Sequence, residues 1–503
     1  MIRSRGLKLV SAVVITCLCY SILRSTKSYL RPPSDPFLDT SKLIHWEKRP
    51  ERYPVTSFVS LPTETPAVIP NIQHNFDREE SREERNERLR RRNAIKTTFV
   101  RCWQGYKKFA WRKDELAPLT QTWRSTYAGW GATLVDSMDT LWLMGLKEDF
   151  KEAVNAVKGI DFSTSQEEIL NVFEVTIRYL GGLLAAYDLS EGQYPVLLQK
   201  ARELADLLYA AFDSPHRMPL MRWKWRRSAV GEELPIPEST LLAEFGSLSL
   251  EFTRLAQLTG NNKYYDAVRR LMIELHDLQN TTTVPGLWPY VLNVSGWPPT
   301  VTSNRFSLGG MSDSTYEYLP KQYLLLSGKG EDASRLQRMY ERSIEAIKEH
   351  MLYQPLIPGR KDLLLSGNLV SPIGGALTFE PQGQHLTCFA GGMVAIGAKI
   401  FHRPEEAEVA RRLVEGCTWA YEVTPSGLMP ESFHTVPCHI GVSQASGTDC
   451  EWNESRWQDQ VQYRQNIRSS SPAERSARVA ELNKTKPLFP GFSAIGDRSY
   501  TLR

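Results

Sequence analysis

The sequence predicts an all-α protein, a toroid in which an inner ring of helices is surrounded by an outer ring. Apolar helical stretches alternate with more amphipathic ones, and short turns containing Gly or Ser separate them. An apolar helix suits an inner ring because all of its faces are buried, whereas an amphipathic helix keeps one face in water. The spacing is uneven, which argues against a short-period solenoid. Examples of these stretches are residues 140–154, 174–211, 241–278, 316–351 and 391–421.

The composition weighs against a nucleic-acid partner. The 503 residues include 61 Lys and Arg against 57 Asp and Glu, and the resulting net charge of +4 is too balanced for a polyanion-binding protein. Thirteen Trp and twenty Tyr would suit a sugar-binding cleft, although they suit a core equally well. Loops rich in Pro, Gly and Trp, such as residues 285–299, could form one functional rim.

The N-terminal region predicts a type II membrane protein. Leu9–Leu23 is apolar, has Arg and Lys on both sides and precedes no clear cleavage site, so we expect an anchor rather than a cleaved signal peptide. Its 15 residues are short against the roughly 17–25 of a typical span, which flanking Lys and Arg can offset by snorkelling. We therefore assign residues 1–30 to a cytosolic tail and signal anchor, with the body in the lumen. Residues 31–92 are assigned to a stem that ends in a charged helix, and residues 93–503 to a catalytic domain.

The stretch Asn171–Tyr187 predicts a buried helix with one unusual side. Its apolar residues leave no broad polar face, yet Glu174 and Arg178 are four residues apart and lie on one side of the helix. Small residues continue that side, as expected for a helix that lines a cavity. A buried carboxylate needs a partner or water. Two interpretations stay open: a structural Glu–Arg pair in a helical core, or a catalytic acid with a perturbed pKa held by its Arg.

Further carboxylates lie in similar apolar surroundings. Glu244 is within an apolar helical segment, Asp313 begins another helix, and Glu431 follows a helix in a loop. Asp313 could equally be a helix N-cap, and His385, which could donate to a hydroxyl, would in most proteins be structural. The chain has no Gly-rich phosphate loop, Ser nucleophile elbow or HExxH motif. Carboxylates from several helices, together with aromatic loops, favour acid–base hydrolysis of a glycosidic bond.

Seven ordered blocks carry a family resemblance. The blocks are YAGWGATLVDSMDTLWLMGL, NVFEVTIRYLGGLLAAYDLS, LLAEFGSLSLEF, FSLGGMSDSTYEYLPKQ, QHLTCFAGGM, GLMPES and GFSAIGDRSYTLR. They closely resemble the signature segments of class I α-1,2-mannosidases, glycoside hydrolase family 47, over about Asn93 to Arg503. The short anchor and stem also resemble the family's layout. This resemblance implies an (α/α)7 barrel and the calcium-dependent, inverting removal of terminal α-1,2-linked mannose from high-mannose N-glycans.

The resemblance also implies roles for individual residues. Glu174 matches the family's catalytic acid, which protonates the leaving oxygen through a water, and Asp313 and Glu431 match further active-site carboxylates. Inverting hydrolysis requires an acid on one side of the bond and a base-activated water on the other. The residues that match sugar contacts are Arg178, Glu244, His385 and Arg503.

The cysteines and Met311 bear on the cellular compartment. Cys388 and Cys417 match the family's disulfide, which suits the oxidising lumen of the secretory pathway. Cys438 and Cys450 could form a second bridge. Met311 stands where some endoplasmic-reticulum members carry an Arg, so the chain resembles Golgi or fungal members more closely. The expected location is a membrane of the Golgi or the endoplasmic reticulum.

The chain departs from the family pattern at its end. In the family the YxLR block is followed by Pro-Glu, whose Glu is the leading candidate for the base, and later by the Thr that holds calcium. The sequence stops at Arg503, so we expect the base, the calcium ligand and the last barrel helices to be missing, as in a truncated copy of an active mannosidase. The alternative hypothesis is a non-catalytic, lectin-like protein that binds mannose glycans in quality control. Retention of Glu174, Asp313 and Glu431 favours the enzyme.

Overall fold

The computed structural model describes residues 44–372, 375–442, 450–466, 469, 471–485 and 488–496. The predicted anchor at residues 1–30 and the predicted sugar contact Arg503 lie outside these ranges. Among the residues that are described, no helix has both the length and the apolar character needed to cross a membrane. From Trp46 onward the chain belongs to one compact unit.

Five pairs of helices form the framework, which confirms the predicted mostly helical class. The first helices of the pairs pack against one another in chain order, and each second helix packs against the first helix of its own pair. The first helices are Met138–Leu143, Gly181–Leu189, Ser249–Thr259, Asp313–Leu325 and Phe389–Ile400. The second helices are Lys147–Lys158, Pro195–Ala210, Asn262–Leu278, Gly330–Ala346 and Glu405–Glu422. The body therefore has two layers of helices, in the places where the sequence predicts paired stretches.

Shorter helical segments connect or extend these pairs. The remaining α-helices are Arg82–Phe109, Ala132–Asp136, Val172–Val175, Trp225–Ala229, Leu242–Gly246, Glu454–Arg464 and Pro472–Thr485. Thr176–Leu180 and Ile347–Met351 are π-helical, and His385–Cys388 is a 3₁₀ turn. The Arg82–Phe109 helix is continuous across residue 92, where the sequence places the end of the stem, and it buries Trp103 and Tyr106.

Two glycines show why the helices can pack and turn as they do. A Cβ on Gly182 would lie only 2.8 Å from the carbonyl oxygen of Val135, so the Gly181–Leu189 helix can approach the Ala132–Asp136 helix only because this side chain is absent. Gly260 ends the Ser249–Thr259 helix with φ of +68°, a left-handed conformation that glycine adopts without steric cost. Asn261 then caps the following helix by accepting the backbone N–H of Lys263.

Sixteen strands of two to four residues lie in the connections between helices, and the sequence analysis predicts none of them. All of their pairings are antiparallel. Two sheets have two strands each, Glu115–Ala117 with Thr122–Arg124 and Leu170–Asn171 with Arg222–Trp223. The first two three-stranded sheets are Ser239–Leu241, Val291–Asn293, Thr300–Val301 and Thr378–Glu380, Asn368–Val370, Arg305–Phe306. The other two are Leu365–Ser366, Leu352–Pro355, Pro437–Ile440 and Gln382–Gln384, Ser432–Thr435, Phe492–Ile495.

The hydrophobic core extends continuously through the helical pairs. Many of its largest buried side chains are aromatic, and Trp223, Trp225 and Trp288 are each at most 1 % exposed. The Trp-rich loop at residues 285–299 is therefore divided, because Trp288 belongs to the core whereas Trp297 is 47 % exposed. Two smaller apolar clusters lie toward the C-terminal end, around Trp419 and Trp457.

The segment from Trp46 to Ile72 has no helix or strand and extends along the helical body. Trp46, Leu61, Ile69 and Ile72 pack against the core. Backbone hydrogen bonds join Trp46 to Ser163 and Ala67 to Ser327. Residues that the sequence assigns to a stem thus contact several of the helical pairs.

Candidate active site

Glu174 and Arg178 form the ion pair that their spacing predicts. The Nε of Arg178 donates to Oε2 of Glu174 over 2.8 Å, and the two side chains are 30 % and 24 % exposed. Asn171 caps the short Val172–Val175 helix by accepting the backbone N–H of Glu174 at 3.3 Å. Directly after it the backbone widens into the π-helical turn that contains Arg178. Such turns occur frequently at functional sites, since they redirect side chains within a helix.

Two further groups surround Arg178, and the sequence analysis missed both. Its guanidinium lies 4.3 Å from the ring centre of Tyr127, and Nη1 is 3.7 Å from Oδ2 of Asp136. Asp136 is 47 % exposed but stands within a concave surface, and this burial raises its pKa to about 6 despite the opposing effect of Arg178. The signal was available, because Asp136 is a carboxylate in the apolar stretch VDSMDTLWL, as Glu174 is in its own helix.

A second ion pair connects Glu244 to the neighbourhood of Glu174. Nη2 of Arg222 is 2.6 Å from Oε1 of Glu244, whose side chain is only 8 % exposed. Arg222 is also the strand partner of Asn171, the residue that caps the helix of Glu174. The sequence gave no indication of Arg222, because it is distant in the chain from both of these residues and lies in no amphipathic pattern.

Asp313 is the first residue of its helix, and Ser312 occupies the capping position. The N-cap alternative is therefore wrong by one residue, although Oδ1 of Asp313 does accept the backbone N–H of Ser314 at 2.8 Å. Burial raises the pKa of Asp313, the hydrogen bond from Ser314 opposes that shift, and Glu317 one turn later adds to it. Asp313 thus combines a buried position with a nearby like charge, as catalytic carboxylates commonly do.

Close contacts hold the segments of Glu244 and Asp313 side by side. The backbone N–H of Ala243 donates to the carbonyl of Met311 at 2.8 Å, and the hydroxyl of Thr315 donates to the carbonyl of Leu242 at 2.7 Å. Met311 itself has φ of +77° and is 50 % exposed. The side chain at this position, where an Arg is found in some relatives, is therefore apolar and accessible.

His385 and Glu431 are joined through their backbones. The N–H of His385 donates to the carbonyl of Glu431 at 2.9 Å. Nε2 of His385 forms a hydrogen bond with the hydroxyl of Tyr421, with the two rings edge to face at 5.7 Å. Because the imidazole has this partner, the structural interpretation of His385 and its interpretation as a sugar contact both remain open.

The strand that precedes His385 connects this pair to Asp313. Oε1 of Gln384 accepts the backbone N–H of Gly310 at 3.1 Å, three residues before Asp313. A Cβ on Gly310 would lie 3.4 Å from Leu386, so the two segments are in contact on both sides of His385. An unbroken series of contacts therefore joins the predicted site residues. In order, this series passes through Arg178, Glu174, Asn171, Arg222, Glu244, Met311, Asp313, Gln384, His385 and Glu431.

The carboxylates of this site are held by cations and backbone donors. Glu174 and Glu244 each pair with an Arg, and Asp313 accepts from Ser314. Within the described ranges, no group of three or more His, Cys, Asp or Glu side chains could hold a metal ion. The residues present there consequently do not fit a calcium site of that kind.

A mostly helical body with acidic side chains joined in one series defines a glycosidase-like class of protein. The chain belongs to glycosyl hydrolase family 47, whose sequence profile matches residues 98–503. The predicted family is thereby confirmed.

Relatives and one solved structure support the same placement. The chain is 36 % identical to the endoplasmic reticulum mannosyl-oligosaccharide 1,2-alpha-mannosidase of Rattus norvegicus over 68 % of this chain and 50 % of that protein. It is 31 % identical to the probable mannosyl-oligosaccharide alpha-1,2-mannosidase 1B of Aspergillus flavus, over 77 % and 76 % of the two chains. The alpha-1,2-mannosidase from Trichoderma reesei superposes with a TM-score of 0.64 at 26 % identity, over 81 % and 87 % of the two chains. The chain spans about half the length of the first curated relatives that it matches.

Proposed function

We propose that this protein is a mannosyl-oligosaccharide 1,2-α-mannosidase that removes terminal α-1,2-linked mannose from high-mannose N-glycans. The supporting observation is the series of contacts that brings Glu174, Glu244, Asp313, His385 and Glu431 to one side of the body. The helical pairs would form part of an (α/α)7 barrel, with this series around one end of it. Membership of family 47 and the mannosidase names of the relatives support the substrate class.

In this proposal Glu174 is the general acid. Arg178 orients the carboxyl through the 2.8 Å hydrogen bond, and Asp136 and Tyr127 hold Arg178 from its other side. Glu174 would deliver its proton to the leaving oxygen through a water. Proton delivery of this kind typically contributes about 10²–10⁴-fold to the rate.

Asp313 and Glu431 are the other candidate carboxyl groups, and Arg178, Glu244 and His385 would contact hydroxyls of the sugar. The raised pKa of Asp313 would let it exchange a proton nearer to neutral pH than an ordinary Asp. Inversion requires two carboxyl groups that are far enough apart to admit a water. Calcium dependence is part of the proposal through the family. No step described here for the chain's own residues involves the ion.

A type II anchor and a luminal body in the secretory pathway complete the proposal. The name of the rat relative includes the endoplasmic reticulum, which supports that pathway. Two disulfides, Cys388–Cys417 and Cys438–Cys450, favour an oxidising compartment.

The Glu174→Gln substitution tests the proposal directly. It removes the proton but keeps an oxygen that can accept from Arg178, so the fold should persist while mannose release falls at least about 100-fold. Released mannose is measured by mass spectrometry of a high-mannose N-glycan, and far-UV circular dichroism reports the fold.

The control is Glu148→Gln, whose side chain is 86 % exposed and pairs only with Lys151 on the next helical turn. Its mannose release should equal that of the wild type. Undiminished release by the Glu174 variant would exclude Glu174 as the acid. Wild-type protein that binds the glycan but releases no mannose would establish the non-catalytic glycan-binding alternative.

A further inference from the structure

The N-terminal segment Trp46–Tyr53 contacts a loop beside the candidate active site. The loop, residues 224–236, follows Arg222 and contains one short helix, Trp225–Ala229. Nη2 of Arg49 donates to the carbonyl of Ala229 at 2.6 Å, and Nη2 of Arg52 donates to the carbonyl of Gly231 at 3.0 Å. Glu233, near the end of the loop, pairs with Nη1 of Arg52 at 3.4 Å and accepts the hydroxyl of Tyr53.

Groups on the body fix the position of this segment. Asp213 accepts the backbone N–H groups of both Arg52 and Tyr53, at 2.8 and 2.9 Å. Arg217 donates to the carbonyl of Tyr53 at 3.0 Å and pairs with Glu51 at 3.0 Å, while its own side chain is only 11 % exposed. The side chains of Arg52 and Tyr53 therefore start from a fixed backbone, so they lose less conformational entropy when they contact the loop.

The loop also has a conformation adapted to the segment. Gly231 has φ of +93°, and a Cβ there would lie 2.7 Å from Nη1 of Arg49. A residue with a side chain would clash with Arg49 as well as strain the backbone. The ion pair of Arg52 with Glu233 is about half exposed and by itself weak, so the fit depends on the four contacts together.

The loop forms one wall of a pocket of about 580 Å³. This volume is in the range of ligand-binding pockets, and a mixture of charged donors and acceptors with apolar surface suits the hydroxyl groups and C–H faces of sugars. The lining includes Arg222, Lys224, Arg227, Glu233, Leu234 and Ile236. Arg222 also pairs with Glu244, so the pocket and the candidate active site share a side chain.

We propose that Arg49, Arg52 and Tyr53 are positioning residues that hold the 224–236 loop as the wall of a second saccharide subsite. This subsite takes mannose residues of the glycan that are remote from the bond to be cleaved. The inference rests on the proposed function and deepens it, because it assigns part of the glycan specificity to a segment that precedes the helical body. Arg222 would contact both parts of the substrate.

The experiment compares two double variants of the full chain. Arg52→Ala with Tyr53→Phe removes contacts to the loop but keeps the backbone bonds to Asp213. The matched control, Asn262→Ala with Lys399→Ala, removes contacts farther along the same segment, namely Asn262 to Ser60 at 3.1 Å and Lys399 to the carbonyl of Ile72 at 2.6 Å. Calorimetry measures the affinity of each protein for an intact high-mannose N-glycan and for α-1,2-mannobiose, and hydrogen exchange measures protection of residues 224–236.

The loop variant should bind the intact glycan at least fivefold more weakly, bind mannobiose within twofold of wild type and exchange faster in the loop. The control should match the wild type in all three measurements. A purely structural role would weaken both ligands equally or affect both variants alike, and either result would overturn the proposal. Unchanged loop protection in the Arg52 and Tyr53 variant would overturn it as well. Wild-type protein that binds neither ligand would overturn the proposed function and the subsite together, whereas the exchange result would still show whether the segment holds the loop.

Discussion

A single buried carboxylate organises the surroundings of Arg178. Asp114 is fully buried and accepts five hydrogen bonds at 2.8–3.0 Å, from the backbone N–H groups of Tyr127, Gly129, Gly131 and Ala132 and from the hydroxyl of Tyr179. Tyr127 lies against Arg178, and Tyr179 follows Arg178 in the π-helical turn. Asp114 therefore fixes two neighbours of a candidate active-site residue without belonging to the site.

We expect Asp114→Asn to lower the free energy of unfolding by about 3–5 kcal/mol, because the amide nitrogen would face N–H donors and leave them unpaired in the interior. Denaturant unfolding followed by circular dichroism measures this change. Asp161→Asn is the control, since Asp161 accepts the N–H of Ser163 at an exposed position, and it should change the free energy by less than about 1 kcal/mol. A loss below about 1 kcal/mol for Asp114→Asn would mean that its five hydrogen bonds are not what holds this region.

At the scale of elements, the helices Ser249–Thr259 and Asp313–Leu325 meet around a buried acid. Oε1 of Glu251 accepts the hydroxyl of Tyr318 at 2.8 Å, and its other oxygen is buried without a partner among the described residues. Burial raises the pKa of Glu251 to about 7, although the hydrogen bond from Tyr318 and the charge of Lys321 oppose the shift. The contact between two first-layer helices thus contains a group that titrates near neutral pH.

Glu251 should make the protein less stable as the pH rises. In the folded state it holds its proton up to about pH 7, whereas in the unfolded state it loses the proton near pH 4.5, so folding is favoured below this window and disfavoured above it. Glu251→Gln keeps an acceptor for Tyr318 and removes the charge. It should therefore flatten the fall in unfolding free energy between pH 4.5 and 7, by at most about 3 kcal/mol.

Unfolding free energies measured at several pH values test this expectation. Glu148→Gln, on an exposed helical turn, serves as the control and should retain the wild-type slope. The same slope in the Glu251 variant as in the wild type would show that Glu251 does not carry the pH dependence.

At the scale of the whole molecule, covalent links and the N-terminal segment join parts that are distant in sequence. Cys388–Cys417 connects the fifth pair of helices, Phe389–Ile400 and Glu405–Glu422, with Cα atoms 5.9 Å apart. Cys438–Cys450 closes a shorter loop of 12 residues. In the described part of the chain, Cys102 is an exposed free thiol. The segment from Trp46 to Ile72 contacts residues from Ser163 to Lys399 and so connects helical pairs that are not adjacent in the chain.

Replacing both Cys388 and Cys417 with Ser should lower the free energy of unfolding by about 3–4 kcal/mol, because the unfolded chain gains the freedom of a 29-residue loop. Differential scanning calorimetry measures the corresponding fall in the melting temperature. Cys102→Ser should leave that temperature unchanged. An equal effect of reductant on wild type and the double variant would contradict the assignment, since only the wild type retains the Cys388–Cys417 bridge.

The helical pairs and the Glu174–Arg178 pair could be predicted from the sequence. Both depend on spacing within one helix, where a period of 3.6 residues determines which side chains share a face. The short strands could not be predicted in this way. Strands of two to four residues have too few positions for an alternating pattern, and their partners lie far away in the chain.

By itself, therefore, the sequence determined the helical class, the family and the candidate acids Glu174, Asp313 and Glu431. The tertiary structure alone decided that Asp136, Arg222 and Asp114 support them, and that the residues after Trp46 lie against the body. The physical reason is that periodicity records how one segment is buried. Contacts between distant segments, such as Arg222 with Glu244 or Arg52 with Glu233, exist only once packing has brought those segments together.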